Sequence, residues 1–385
     1  MKNDEHAAAD RNRMTASWTL RRYRDGDEHA IVDLLNAAFG DWGSVEDWRW
    51  KYGRNPAGSP IIWLAQCGNR IIGHYGIIPV TMKVGNAYVT ASFTQDAATH
   101  PDYQGQGVFS SIVNKSYLDA SEKGIPITYG FADTTLEQTY KRYEHMGHIC
   151  FMIPMTKVLN WEPFLATYVR SKFLTHTMAR ALRKARRSRR PRVPLRIETT
   201  SRFDQRIDRF WEQISPSFKI IVRRDERYLN WRYVDKPKGK YAIYTAVKDH
   251  RILGYCVLGE KRWPKFGRWQ NLKLGLILDI LGVQDDPQVV SCLIDRAVKC
   301  FEQQDVDAIT CMVSEKHPYG PLLRKAGFIT PPLSLTHTSL HVSINLPGYP
   351  IDKKQVYSQA LLLSQNCFLK EKGNWFMLHD LIDMP

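Results

Sequence analysis

The chain has 385 residues, 43% apolar and 24% charged, with 54 Lys/Arg against 39 Asp/Glu and a formal charge of +15. Such a composition excludes wholesale disorder, collagen and coiled coil, and the length suggests two domains. No apolar stretch approaches the ~20 residues of a membrane-spanning helix. The seven cysteines form no CxxC pair, so the pattern points to a reduced, cytoplasmic protein, and no His/Cys/Asp cluster has metal-ligand spacing.

In chain order, residues 1–17 lack an apolar core and read as a disordered lead, not a secretory signal. A helix is expected over 27–39. Ile61–Cys67 and Ile71–Val80 read as a hairpin around Gly68-Asn69. A strand ending at His100-Pro101 precedes a glycine-bearing turn and an amphipathic helix from Val108 to Lys123, with Phe109, Ile112, Val113, Tyr117 and Leu118 on one face. A strand over 127–132 and a short helix ending at Gly147 complete the unit.

The unit then repeats. Trp50-Lys51-Tyr52-Gly53-Arg54-Asn55-Pro56 matches Trp231-Arg232-Tyr233-Val234-Asp235-Lys236-Pro237 at an offset of 181, and nine of 27 positions from Trp50 to Gly76 are identical. Met146-Gly147-His148 falls on Ala326-Gly327-Phe328 at an offset of 180. We read two copies of one fold, an α/β (α+β) class with a mixed, largely antiparallel sheet flanked by helices. The expected division is 1–17 lead, 18–160 first domain, 161–197 basic helical linker, 198–348 second domain, and 349–385 C-terminal helix and tail.

The informative stretch is Thr94-Gln95-Asp96-Ala97-Ala98-Thr99-His100-Pro101-Asp102-Tyr103-Gln104-Gly105-Gln106-Gly107-Val108-Phe109-Ser110. A strand, a glycine turn and a helix start gather free N–H groups at one point, a site suited to pyrophosphate. The plain alternative is a tight turn. A Rossmann site would need a third glycine, which is missing.

Here the sequence resembles the GCN5-related N-acetyltransferase (GNAT) superfamily, whose loop is Gln/Arg-x-x-Gly-x-Gly/Ala. Gln104 and Gly107 match, and Phe109 stands where Gly or Ala is usual. Tyr143-Glu144-His145-Met146-Gly147-His148 resembles the family's Tyr-x-x-x-Gly-Phe element. The resemblance implies an acyl-CoA-dependent N-acyltransferase, acetyl-CoA or another acyl-CoA being the co-substrate. By that analogy the backbone of Ala98, Thr99 and His100 pairs with pantetheine. The N–H groups of Gly105, Gln106, Gly107, Val108, Phe109 and Ser110 hold the pyrophosphate, and Gln104 closes the loop. Tyr143 would protonate the leaving sulfur, with a packing role as its alternative. Asp96 is the candidate base, or a structural carboxylate. Asp133, His74 and Tyr75 are candidates for the acceptor side, a strand histidine in the core being the alternative for His74.

The second copy is expected to lack this chemistry. A gapless comparison sets Gln284-Asp285-Asp286-Pro287 against the loop, Leu323 against Tyr143 and Leu276 against Asp96. Two carboxylates repel phosphate, and proline removes an N–H. The tandem arrangement resembles two-lobed GNAT proteins with one degenerate lobe.

Eleven Lys/Arg and no acid lie between Pro163 and Ile197, so the other 350 residues carry only +4. Read as a helix over 162–190, this segment is either a solvated linker or a contact for an anionic membrane surface or polyanion. A peripheral location at the inner membrane surface is one expectation. No RNP, KH or zinc-finger pattern supports sequence-specific nucleic-acid recognition. The expected partner is a small-molecule amine such as an amino sugar. Alternatives are a non-catalytic CoA sensor or scaffold, or a peptidoglycan-bridge type aminoacyltransferase using charged tRNA.

Overall fold

The computed structural model describes residues 17–132, 147–169, 171–185, 195–266, 269–330, 338–344 and 378–379. The first copy opens with strand β1 (Thr19–Arg22), helix α1 (Glu28–Phe39) and short helix α2 (Val45–Trp48), which runs into a π-helical turn at Arg49–Gly53. Ser44 and Asp47 form a capping box on α2, which satisfies N–H groups that a helix start leaves open. Apolar runs then form β2 (Ile61–Cys67), β3 (Arg70–Val84) and β4 (Ala87–Thr99), followed by α3 (Val108–Glu122), β5 (Ile127–Ala132) and β6 (Gly147–Val158).

Helices α4 (Glu162–Leu165) and α5 (Lys172–Ala185) lead to the second copy. The run expected as one helix is thus two. Ser171 Oγ accepts from the N–H of Leu174, and the Thr175 hydroxyl donates to Val169 O, so a new helix is nucleated after a break. The second copy repeats the first: β7 (Arg196–Thr200), α6 (Arg206–Ile214), an added β8 (Ile220–Val222), α7 (Glu226–Leu229) with a π-helical turn at Asn230–Val234, β9 (Ala242–Lys248), β10 (Arg251–Phe266), β11 (Trp269–Gly282), α8 (Pro287–Gln303), β12 (Ala308–Ser314), α9 (Gly320–Lys325) and β13 (Thr338–Ile344). Gly327 takes φ 88° just past α9, as a left-handed helix end requires. A two-residue strand, β14 (Leu378–His379), comes last. The C-terminal helix expected within 349–385 lies outside the described residues.

The two sheets join into one of order β1-β2-β3-β4-β5-β13-β6-β12-β11-β10-β9-β7. Among the described residues only the β4–β5 and β11–β12 pairs are parallel. The join is an exchange. β13, from the second copy, pairs with β5 of the first, and β6, from the first copy, pairs with β12 of the second. β6 and β13 pair with each other at the centre. Each copy therefore completes its sheet with the other's last strand.

A second seam lies at the repeated Trp-x-Tyr turns. The Trp50 indole N–H donates to Trp231 O at 2.6 Å, and the Trp231 indole N–H donates to Trp50 O at 3.0 Å. Their rings stack at 5.5 Å. Residue i meets j and j meets i, as at a two-fold axis. A third contact is β8, which pairs with the end of β3.

Inside the first copy, α3 packs closely on β3 because Gly73 has no side chain: a Cβ there would stand 2.6 Å from Ile112 Cδ1 and 2.7 Å from Val108 Cγ1. This contact places the N-terminus of α3 beside the end of β4.

Truncating Trp50 or Trp231 to Ala is expected to cost about 3–5 kcal/mol each. The double variant should cost clearly less than the sum, because the two share one contact. Urea denaturation of the four proteins checks this.

Candidate active site

β4 and β5 pair only at Ser92–Thr128 and Phe93–Tyr129. Beyond that point they part, and β4 continues along β3 alone. At the parting β4 carries a bulge. Gln95 lies opposite Gly76 and Ala98 opposite His74, so Asp96 and Ala97 share the gap. Asp96 adopts φ 51°, a left-handed conformation costly for a non-glycine residue, which persists only where the surroundings enforce it.

The enforcing contacts are on its own side chain and carbonyl. The buried carboxylate accepts from Trp42 Nε1 at 3.0 Å, Lys51 Nζ at 3.0 Å and the Tyr52 hydroxyl at 2.7 Å. Lys51 and Tyr52 come from the π-helical turn, which sets them on one side. Tyr52 reaches Asp96 across β3 only because position 76 is glycine: a Cβ there would lie 2.5 Å from the Tyr52 hydroxyl. His74 Nδ1–H donates to Asp96 O at 2.8 Å. That fixes the tautomer and leaves the buried Nε2 as an acceptor with no partner among the described residues. Burial holds the His74 pKa below the usual imidazole value, so the ring is neutral.

Beyond the bulge the chain turns at His100–Tyr103 and reaches Gly105 (φ 76°) and Gly107 (φ 78°). Gly107 is the N-cap of α3, and Ser111 N–H is the first to bond back, to Gly107 O. The N–H groups of the first helical turn have no intrahelical partner. Space at Gly105 is open, with no atom within 4 Å of a notional Cβ, and the first turn of α3 carries no acid. The Thr99 hydroxyl is buried without a partner among the described residues at the end of β4. Open N–H groups, a helix dipole and missing acids suit a diphosphate, and the open edge of β4 suits an extended arm.

Phe109 turns inward from this loop and meets Tyr75 edge-on at 6.3 Å, so its ring packs in the core beside the loop. Ala98 is buried, and its backbone lies at the open edge. Gln104 N–H bonds Pro101 O, and the Gln106 amide donates to Asp102 O. His100 Nε2 lies 2.7 Å from Arg70. Tyr75 is buried, its hydroxyl 3.3 Å from that of Tyr117, and His74 is buried beside it on β3. Tyr143 and Asp133 lie outside the described residues. Lys51, Tyr52 and Trp42, which sequence reasoning passed over, are the partners of Asp96; the repeated Trp-Lys/Arg-Tyr signature was a signal for Lys51 and Tyr52, and the repeat does not include Trp42.

The second copy departs from the gapless comparison. Gly73 lies opposite Thr99 and Gly254 opposite Gly282, so the fourth strands align at an offset of 183. The longer β10–β11 arm inserts two residues. Asp279, not Leu276, therefore occupies the place of Asp96. It accepts from Tyr255 at 2.9 Å, pairs with Arg224 at 3.2 Å, and faces the Tyr233 hydroxyl at 3.5 Å. Tyr233 and Tyr255 are the repeat partners of Tyr52 and His74. The carboxylate survives, but the loop does not. Eight residues separate β4 from α3, while only four separate β11 from α8. Asp286 caps α8 with its own carboxylate, on Gln288 N–H, and Pro287 supplies no donor. β14 pairs with β12 beyond its contact with β11, so the chain's own backbone enters the second opening.

Where the copies meet, a cleft of about 680 Å³ is lined by Trp42, Trp50, Lys51, Lys236, Lys238, Lys240, Tyr241 and Lys261, with Asp41, Asp47 and Glu260 also present. Lys51 and Trp42 belong both to this wall and to the Asp96 cluster. Lys236 stands 5.1 Å above the Trp50 ring. Lys238 and Lys240 have no carboxylate partner among the described residues. Among the described residues no group of three His, Cys, Asp or Glu side chains could hold a metal ion.

Residues 19–147 match the family model of the acetyltransferase (GNAT) domain. Solved structures share the fold across most of the chain. A conserved Enterococcus faecalis protein ("Probable N-Acyltransferase") has a TM-score of 0.61 at 10% identity, covering 86% of this chain and 73% of that one. A GCN5-related N-acetyltransferase from Anabaena variabilis has a TM-score of 0.57 at 14% identity, covering 87% and 76%. Saccharomyces cerevisiae N-myristoyltransferase with bound myristoyl-CoA has a TM-score of 0.58 at 12% identity, covering 88% of both chains. A search of curated proteins gives no match.

Lys51→Met strands the Asp96 carboxylate and is expected to cost about 3–5 kcal/mol; adding Asp96→Asn should restore part of it, by urea denaturation. Burial and the nearby Arg224 charge push His317 down to about 3 from the usual 6.5. The unfolded chain then binds a proton that the native state refuses. Stability is full above pH 6.5 and falls as pH drops toward 3, with His74 adding the same sign. Thermal melts of the wild type and His317→Asn across this range should differ in slope.

Proposed function

We propose, taking the first lobe as a GNAT acyltransferase domain, that the protein transfers an acyl group, acetyl in the first instance, from an acyl-CoA to a primary amine seated in the interlobe cleft. The observation that carries this reading is the alignment of two features at one place: a strand edge opened by the β4–β5 parting, and a glycine-capped helix N-terminus at the end of that edge. An extended thioester with a diphosphate at its far end matches both.

The chemistry divides among the residues. The diphosphate rests on the N–H groups from Gly105 to Ser110, and the pantetheine arm lies along Ala98, Thr99 and His100. The amine nitrogen attacks the thioester carbonyl carbon, and the carbon–sulfur bond breaks. A backbone N–H at the bulge stabilises the oxyanion. Tyr143 gives its proton to the departing sulfur, and the amine's proton passes to water in the cleft. Asp96 is engaged by three donors, so accepting a proton would displace one of them. We assign it to holding the bulge in shape rather than to proton removal.

The lysines and aromatic rings of the cleft favour an acceptor with an anionic group and a flat or sugar face, such as a phosphorylated amino sugar. The second lobe supplies Lys236, Lys238, Lys240 and Tyr241 to that wall, a supporting role in place of a second CoA site.

Calorimetric titration with acetyl-CoA and longer acyl-CoAs tests the donor. Gly107→Glu is expected to abolish binding. Tyr143→Phe should keep donor binding and lower kcat by about 10²-fold. Lys238→Glu with Lys240→Glu should raise KM for a phosphorylated amine about tenfold and leave CoA binding unchanged. No heat with any acyl-CoA overturns the proposal.

A further inference from the structure

α5 is amphipathic in an unusual sense. The residues turned toward the protein are small, with Thr175 and Ala179 buried. The face turned away carries Phe173 at 77% exposure, Leu174 at 52% and Met178 at 45%, with Tyr168 at 64% just before the helix. Positions 173, 174, 177, 178 and 181 fall on one arc of a 3.6-residue helix. A soluble surface seldom places its large apolar groups outward in one contiguous strip.

Charge supplies the second observation. Lys172 and Arg180 lie on the arc beside the strip, and the sequence from Pro163 to Ile197 holds eleven Lys/Arg with no acid. The Glu162 carboxylate, before the helix, is bonded by His176 at 2.6 Å. Among the described residues no helix is long and apolar enough to cross a membrane. An apolar strip flanked by cations, on a helix lying along the surface, fits the boundary of an anionic bilayer: the rings enter the acyl region and the cations meet the headgroups.

We infer that α5 docks the protein on an anionic lipid surface, with Phe173, Leu174 and Met178 inserted and Lys172 and Arg180 at the headgroups. Nucleic acid would use the charge and leave the apolar strip unexplained. This inference is independent of the acyl-transfer reading, since it involves no residue of that site.

The test is co-sedimentation of the full chain with vesicles of phosphatidylglycerol and phosphatidylcholine at about 3:7, against phosphatidylcholine alone. The expected result is binding to the anionic vesicles only. Phe173→Glu with Met178→Glu should weaken it at least about tenfold with an unchanged melting temperature, since both side chains are exposed. As a second reading, Phe173→Trp should show a blue-shifted emission on anionic vesicles. Absence of binding, equal binding by the double-Glu variant, or no emission shift overturns the inference. So does retention of polyuridine by wild type and variant alike with no vesicle binding. A wild-type dimer that the variant converts to monomer in sedimentation velocity would also overturn it, by making the strip a contact between copies.

Discussion

The reciprocal contact of Trp50 and Trp231 is the constraint from which the rest of the architecture follows. Two indoles stacked at 5.5 Å, each donating to the other's carbonyl, can be satisfied only if the copies face each other about a near two-fold axis. That orientation brings the last strands together, and they pair with each other and with the opposite copy's fifth strand. A copy removed from its partner would expose an unpaired sheet edge and a buried indole, both costly in water. The lobes are therefore one cooperative unit, and the cleft at their seam is a consequence of the same geometry.

The bulge on β4 depends on that seam through the π-helical turn. Trp50 is held at the interface while its neighbours Lys51 and Tyr52 hold Asp96. One five-residue turn thus couples the lobe interface to the point where β4 and β5 part. Strain at Asp96 persists because three donors and the His74 contact determine it from several directions.

The second copy has the hub and lacks the loop. Asp279 meets Tyr233 and Tyr255 much as Asp96 meets Tyr52 and sits beside His74. The second copy, however, uses a short connection and an aspartate cap at the start of α8. A helix N-terminus satisfied by its own carboxylate has little to offer a phosphate. The difference between the lobes therefore lies in loop length and cap chemistry, not in the buried carboxylate.

Much of this was legible in the residues. The repeat at offset 181, the strand–glycine–helix order and the amphipathic helix from Val108 follow from local periodicity and turn chemistry, which act over a few residues and are written along the chain. The sequence by itself determined the β2–β3 hairpin, the strand–turn–helix–strand order of β4, α3 and β5, the glycine-bearing helix start and the isolated basic run. The tertiary structure alone decided which strands exchange between copies, that Asp96 is a held carboxylate among Trp42, Lys51 and Tyr52, that the fourth strands align at offset 183, and that the apolar face of α5 points outward. These depend on contacts between residues far apart in sequence. Their pairing is set by packing and by the demand that buried polar groups find partners, which no local pattern encodes.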